Sequence, residues 1–302
     1  MNTLVVILGP TGVGKSTISI QLANYFNTEI ISADSRQFYR ELTIGTAVPS
    51  VAELDAIPHH FIQTKSINDY YNVSDYETEA LKLIDHLFLK KDPLILCGGS
   101  MLYIDTICKG IDDIPTVDPV IRAEVVAWYG KNGLDALRKR LLEIDPEYHQ
   151  IVDLNNPKRI LHAVEIFQMT GKSYSSFRKN TVKERPFHIL KIGINQDRKI
   201  LYGRINERVV QMMEAGLLDE AKTVYQYRKL NTLNTVGYKE LFSFLDGECT
   251  LDEAIDLIQR NSRKYARKQL TWFRRDPEIS WFEPEEVQEI ISYIDQKMKS
   301  YA

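Results

Sequence analysis

Gly9-Pro10-Thr11-Gly12-Val13-Gly14-Lys15-Ser16 fits the pattern G-x-x-x-x-G-K-[ST]. Glycines at this spacing let the chain wrap an anion in backbone N–H groups, and a helix starting at the lysine points its positive dipole end at the same place. Lys15 adds a point charge, and the Ser16 hydroxyl is of the type that ligates Mg²⁺. The motif specifies a phosphate chain with magnesium and does not specify a nucleotide. A second candidate is the carboxylate of Asp34, followed by Ser35. At the end of a strand in an open α/β sheet it faces the ligand crevice, where it can hold a magnesium water or act as a base; the alternative is a cap for the next helix. The apolar run at 94–97 ends in Gly98-Gly99-Ser100, not in Asp. A Walker B carboxylate is thus missing from its commonest place, which disfavours a hydrolytic motor and leaves Asp34 as the catalytic candidate.

Two further groups are cationic. Arg204 and Arg208 are spaced i,i+4 on an expected helix, so both can face one ligand or form a solvated stripe. Residues 260–275 (RNSRKYARKQLTWFRR) hold seven Lys or Arg and no acid, with Tyr265, Trp272 and Phe273 interleaved. In a chain of net charge −3 these cations are concentrated. They suit a polyanion bound with counterion release and salt sensitivity, the alternative being a solvated helix face. Trp272 is expected to turn inward at one end, so no base stacking is assigned to it.

The elements that must position these groups follow from patterning. Residues 3–8 read as a buried strand, 15–26 as a helix and 29–33 as a second strand, the opening of a parallel α/β sheet. Residues 75–91 read as an amphipathic helix capped by Asp75 and stopped before Pro93, and 94–97 as another strand. Asp112, Asp113, Pro115, Asp118 and Pro119 mark a polar connection. Beyond it, helices are expected with breaks at Gly130, Gly133, Pro146, Pro157 and Gly171. A strand at 187–194 returns to the sheet, and helices run from about 197 to the end. The fold class is α/β: a P-loop-type parallel sheet core flanked by helices (1–111 and 187–302) with a helical insertion (112–186). The 302 residues contain no run of about eighteen apolar residues, so no membrane span is expected. The N-terminus lacks a basic n-region and reads as a strand, not a signal peptide. Three cysteines without C-x-x-C disfavour a disulfide framework or cysteine-rich zinc module and fit a reducing cytoplasm.

Several strings occur in order: the Gly9–Ser16 loop, Asp34-Ser35-x-Gln37-x-Tyr39, Gly45-Thr46-Ala47-x-Pro49, Pro58-His59-His60, Gly98-Gly99-Ser100-x-Leu102-Tyr103, Asn156-Pro157-Lys158-Arg159, Val236-Gly237-Tyr238 and Gln269-x-Thr271-Trp272-Phe273-Arg274. Together they closely resemble the bacterial tRNA dimethylallyltransferases (tRNA isopentenyltransferases) from about residue 5 to 283. The resemblance implies transfer of a dimethylallyl group from dimethylallyl diphosphate to N6 of the adenosine 3′ of the anticodon. The loop then cradles departing diphosphate, aided by Lys15 and by Mg²⁺ on Ser16. The resemblance further implies Asp34 as the base, Arg208 in preference to Arg204 as a diphosphate contact, and Thr11 lining the diphosphate. It implies tRNA contacts at Asp34, Ser35, Arg36 and Gln37; at Lys158, Arg159, Ile160, Leu161 and His162; at Asn234, Thr235, Val236, Gly237, Tyr238 and Lys239; and at Arg267, Lys268, Gln269, Thr271, Trp272 and Arg274. Ser100 and Arg122 match positions lining the tRNA channel, and the insertion grips the anticodon stem-loop. The target base must be drawn out of its loop, with the Gln37 amide or the Gly98-Gly99-Ser100 backbone placed to read its edge. A cytoplasmic monomer is expected.

The sequence departs from the family at Val48, where lysine is usual, and Ser100 replaces a common threonine. Adjacent His59 and His60 have no spaced partner and are expected in structural or polar contacts, not on zinc. The eukaryotic C-terminal zinc finger is not in this sequence, which favours the bacterial type. Other readings are a P-loop small-molecule kinase using ATP, a non-catalytic RNA-binding protein and an AMP-prenylating cousin. The basic aromatic stretch disfavours the kinase and the cousin; intact Lys15, Ser16 and Asp34 disfavour the non-catalytic protein.

Overall fold

In a computed structural model, which describes residues 1–179 and 181–301, the chain runs β1 (Thr3–Leu8), α1 (Lys15–Tyr25), β2 (Ile30–Ser32), α2 (Val51–Ala56), β3 (His59–His60), α3 (Val73–Leu87), β4 (Leu94–Gly98) and α4 (Met101–Lys109). It continues through α5 (Pro119–Ile144), α6 (Pro146–Ile151), α7 (Pro157–Thr170), α8 (Tyr174–Phe177), β5 (His188–Ile194) and α9 (Arg198–Glu214). The last elements are α10 (Leu217–Val224), α11 (Tyr238–Leu245), α12 (Leu251–Phe273), β6 (Ser280–Phe282) and α13 (Val287–Tyr301). Two compact units result, Met1–Cys108 with Glu184–Ala302, and Lys109–Lys183.

The first unit is built on a parallel sheet of order β3-β2-β4-β1-β5-β6. Its central strand is apolar from Leu4 to Leu8 because both faces are covered. Leu4, Val6 and Leu8 enter one cluster with Phe38, Ile84 and Leu96. Val5 and Ile7 enter another with Ile18, Leu22, Ile192 and Ile205. Strand order departs in both directions from β1, toward β4 on one side and β5 on the other, which opens a crevice at the carboxyl ends of these strands. A third cluster, including Leu42, Val209, Leu217, Tyr238 and Ile258, packs helices α9–α12 against the segment following β2.

Several elements differ from the sequence reading. The N-cap of α3 is Asn72: its Oδ1 accepts the N–H groups of Ser74 and Asp75, while the Asp75 carboxylate accepts the Asn72 N–H at 2.9 Å. Asp75 is therefore the inner half of a capping box, and the helix stops at Leu87. Two short edge strands also go beyond it. β6 pairs with β5, and His59-His60 forms β3 beside β2. There the His60 Nε2 lies 2.7 Å from the Glu29 carboxylate, and the His59 Nδ1 lies 2.7 Å from the Ile57 carbonyl.

The second unit packs α5 to α8 around Val125, Leu137, Leu141, Tyr148, Ile160 and Val164. Gly130 does not interrupt α5; only Gly133, at φ +77°, leaves helical geometry within it. Pro119, Pro146 and Pro157 start helices and do not break them. Each follows an Asp or Asn cap (Asp118, Asp145, Asn156) whose side chain accepts an N–H of the first turn.

Candidate active site

The crevice holds a cavity of about 360 Å³ walled entirely by the first unit. One wall is the loop after β1. Gly14 caps α1 at φ +100°, a left-handed conformation that favours glycine, and the helix begins at Lys15. The Lys15 ammonium donates to the Pro10 carbonyl at 2.8 Å. Burial lowers its pKa to about 8, against the raising influence of Cys97 and Asp34; Arg208 also lowers it. From α9, Ile205, Arg208, Val209 and Met212 (i, i+3, i+4, i+7) present one face to the cavity. Burial likewise lowers the Arg208 pKa, with Asp34 opposing. Among the described residues no carboxylate forms an ion pair with Lys15 or Arg208. Two half-buried cations facing one cavity form a site for an anion. Arg204 does not line the cavity: its guanidinium sits against Gly14 of the loop and donates to Gln196 at 3.3 Å.

Asp34 follows β2. Its Oδ1 accepts the Arg36 N–H at 3.0 Å and its own N–H donates to the Ser32 hydroxyl, so the carboxylate is held by a tight local turn. The opposite shoulder follows β4. Gly98 cannot carry a Cβ, because the Ala33 carbonyl occupies that space. Ser100 ties the two shoulders together, its Oγ accepting the Ser35 N–H at 2.9 Å and donating to the Ser35 hydroxyl. Tyr265 reaches Ser100 from α12, and burial, with Asp34 nearby, pushes its phenol up to about 12, so it stays a neutral hydrogen-bonding group.

Ser16 is exposed at the start of α1, and no described side chain engages its hydroxyl. Among the described residues no group of three His, Cys, Asp or Glu side chains could hold a metal. The Ser16 hydroxyl lines the cavity as one hard oxygen donor, which fits a cation that takes its other ligands from phosphate oxygens and water, as Mg²⁺ does.

The cavity brings together Thr11, Gly12, Lys15, Ser16, Asp34, Ser35, Arg36, Gln37, Ser100, Arg208, Asn234, Thr235, Val236, Gly237 and Lys239. Several residues expected to contact RNA have other work for their side chains. Gln269 is buried on α12; its Oε1 accepts the Thr11 N–H at 2.8 Å and its Nε2 donates to the Gly99 carbonyl at 2.8 Å. It braces the phosphate loop against the β4 shoulder. Tyr238 is fully buried and donates its hydroxyl to Glu220 at 2.5 Å. Ile160 is fully buried in the second unit's core. Gln37 is also committed: its Nε2 donates to the Thr46 and Ala47 carbonyls at 3.2 and 2.9 Å, and its Oε1 accepts the Ser32 hydroxyl at 3.2 Å. Both amide protons are used within the fold, so they are not available for an adenine edge.

The remaining basic residues lie on surfaces. On α12, Ala266, Gln269 and Phe273 turn inward, while Lys264, Arg267, Lys268, Thr271 and Arg274 are exposed. Phe273, not Trp272, is the core aromatic; Trp272 is 37% exposed and its indole N–H donates to Asp105 at 2.8 Å. In the second unit Lys158 and Arg159 are exposed on the first turn of α7, and Leu161 packs against the core. Arg122 and His162 each approach the buried Glu165 carboxylate at 3.6 Å. The sequence reading missed Cys97 and the apolar wall formed by Ile205, Val209, Met212, Leu217 and Ile258. The i, i+4, i+7 spacing of Ile205, Val209 and Met212 was the available signal, and it is shared with any amphipathic helix.

Residues 37–276 match the family model described as IPP transferase. The chain is 57% identical to tRNA dimethylallyltransferase 1 of Bacteroides fragilis, with 98% of this chain and 99% of the relative covered. It is 56% identical to tRNA dimethylallyltransferase 1 of Bacteroides thetaiotaomicron, over 97% and 96%. Among solved structures, the full-length tRNA isopentenylpyrophosphate transferase of Bacillus halodurans superposes with a TM-score of 0.73 at 37% identity, covering 99% of this chain and 98% of that one. A eukaryotic dimethylallyltransferase acting on tRNA superposes with a TM-score of 0.77 at 25% identity, covering 99% and 78%. A phosphate loop facing a carboxylate and a cation-lined cavity is common to many transferases; the likeness along the whole length is not, and it makes this chain a member of the IPP transferase family, to which the tRNA dimethylallyltransferases belong.

Proposed function

We propose that the protein transfers a dimethylallyl group from dimethylallyl diphosphate to the N6 amine of the adenosine 3′ of the anticodon in tRNA, releasing diphosphate. The observation that carries this reading is the single cavity in which Lys15 and Arg208, without carboxylate partners among the described residues, lie beside an apolar wall and within electrostatic reach of Asp34. The cations take the diphosphate. Ile205, Val209 and Met212 receive the five-carbon group. The carbon–oxygen bond to diphosphate breaks as the nitrogen–carbon bond forms, and the proton lost from the amine goes to the Asp34 carboxylate. Charge developing on the leaving diphosphate is stabilised by the loop N–H groups, Lys15 and Arg208, which face the same cavity. Ser16, together with diphosphate oxygens, would hold Mg²⁺, which neutralises further negative charge there.

Thr11 lines the diphosphate, and the exposed cations of α12 and α7 meet tRNA phosphates. Family membership favours this reaction over phosphoryl transfer from ATP. Among the described residues no helix is long and apolar enough to cross a membrane, and a tRNA substrate puts the reaction in the cytoplasm. Incubation with labelled dimethylallyl diphosphate, Mg²⁺ and unmodified tRNA should place the label on one adenosine per anticodon loop by nucleoside analysis. Label on free AMP alone, or phosphate transfer from ATP, would defeat the reading.

A further inference from the structure

Between the two shoulders of the cavity and the helices of the third cluster lies a short segment, residues 42–48, folded as one compact turn. The Ala47 N–H donates to the Ile44 carbonyl and the Val48 N–H to the Thr43 carbonyl. The Thr46 hydroxyl donates to the Leu42 carbonyl at 2.7 Å. Like the first turn of a helix, this leaves a row of N–H groups without an internal partner. All three are taken by one carboxylate. Glu220, on α10, accepts the N–H of Thr43 at 2.9 Å, of Ile44 at 2.8 Å and of Gly45 at 2.9 Å. The same carboxylate accepts the hydroxyl of the buried Tyr238 at 2.5 Å. The Tyr238 ring packs directly on Gly45, where a Cβ would come within 2.7 Å of it.

The turn is in turn tied to the base. Its Thr46 and Ala47 carbonyls hold the Gln37 amide; the Gln37 oxygen accepts from the Ser32 hydroxyl; and that hydroxyl accepts the Asp34 N–H. Glu220 and Asp34 are thus linked through the backbone of the turn, by hydrogen bonds at each end of it. The phosphate loop is braced separately, through Gln269.

We propose that Glu220 is a positioning residue for the acceptor side of the site: its carboxylate, fixed by Tyr238, holds the 42–48 turn so that Gln37 and the Asp34 turn stand in reacting geometry, while the diphosphate cradle is set without it. This rests on the prenyl-transfer reading above. Charge-assisted bonds to backbone N–H groups are the strong kind, and Gln at this position would put an N–H donor where a carboxylate oxygen now accepts.

The test uses the full chain as wild type, E220Q, E220A and Y238F. Binding of inorganic pyrophosphate with Mg²⁺ counts intact cradles, and single-turnover transfer to tRNA is normalised to them. Pyrophosphate affinity should change less than about two-fold in every variant, while transfer per intact site falls about 100-fold in E220A, about ten-fold in E220Q and about three-fold in Y238F. Raising the concentration of dimethylallyl diphosphate should not restore the rate. Pyrophosphate binding that weakens in step with transfer would mean a general structural role and would overturn the proposal, as would E220Q with wild-type transfer per site. Should E220A not fold, Y238F decides on the same two readouts. A wild type that neither binds pyrophosphate nor transfers label would instead defeat the underlying reading of the site.

Discussion

The two walls of the cavity are made in different ways. The donor wall is mostly backbone: a glycine-spaced loop, the start of α1 and one half-buried lysine, within eight consecutive residues, Gly9 to Ser16, with Arg208 added from α9. The acceptor wall is mostly side chains acting on backbone: Glu220 on the 42–48 turn, Gln37 on that turn, Ser100 on Ser35. A wall built locally is recognised from a string of residues and resists change one side chain at a time. A wall built from distant side chains depends on each of them.

This contrast can be broken most severely at Asp34. Asp34→Asn removes the proton acceptor while keeping a side chain of the same shape, and transfer should fall about 10³-fold with pyrophosphate affinity unchanged. Near-normal turnover in single-turnover kinetics would remove Asp34 from the role of base. At Lys15 the expected effect is one of pH. With its pKa lowered to about 8 by burial, Lys15 carries its charge below that pH and loses it above. Because kcat/KM reports the free enzyme, its value for dimethylallyl diphosphate should hold below pH 8 and drop about ten-fold per unit above it. A profile flat to pH 10 would show that the ammonium is not desolvated.

Gln269→Ala tests whether the donor wall is self-sufficient. It frees the Thr11 N–H and leaves the Gly99 carbonyl unpaired, so pyrophosphate affinity, measured by calorimetry, should fall about five- to ten-fold. Affinity for an anticodon stem-loop should stay within about two-fold; a loss of RNA binding without loss of pyrophosphate would return Gln269 to the RNA surface. The smallest effect is expected outside the cavity. Replacing exposed Arg267 and Lys268 with Ala should reduce the slope of log affinity for tRNA against log salt by about 0.7 for each phosphate no longer neutralised. An unchanged slope would make this a solvated face. Arg263 is a poorer choice for that experiment, since it is half-buried and hydrogen-bonded to Asn206.

What was legible in the sequence divides along the same line. The Gly9–Ser16 loop, the apolar strands β1 and β4 and the carboxylate at 34 announce themselves because each is a local pattern with a local cause. Glu220 and Gln269 do not, because their partners lie 175 and 258 positions away, and on a helical wheel a Glu in a first turn or a Gln among arginines reads as a polar face. Tyr238 carried the right motif and the wrong role: Val236-Gly237-Tyr238 lies at the cavity, but its tyrosine points into the third cluster to hold Glu220. The N-cap at Asn72 was displaced to Asp75 because a capping box has a polar residue at both ends. β3 and β6, of two and three residues, are too short for any period to show.

The order of strands has one more result. β4 lies between β1, which ends in the cradle, and β2, which ends in the base. Neighbouring strands stand about 4.8 Å apart, so cradle and base leave the sheet roughly 10 Å from each other. That interval is ruled by the ladder itself, and no side chain in the cavity contributes to it. Substitutions there can alter what occupies the span and how it reacts; the length of the molecule that bridges it is gauged by the backbone.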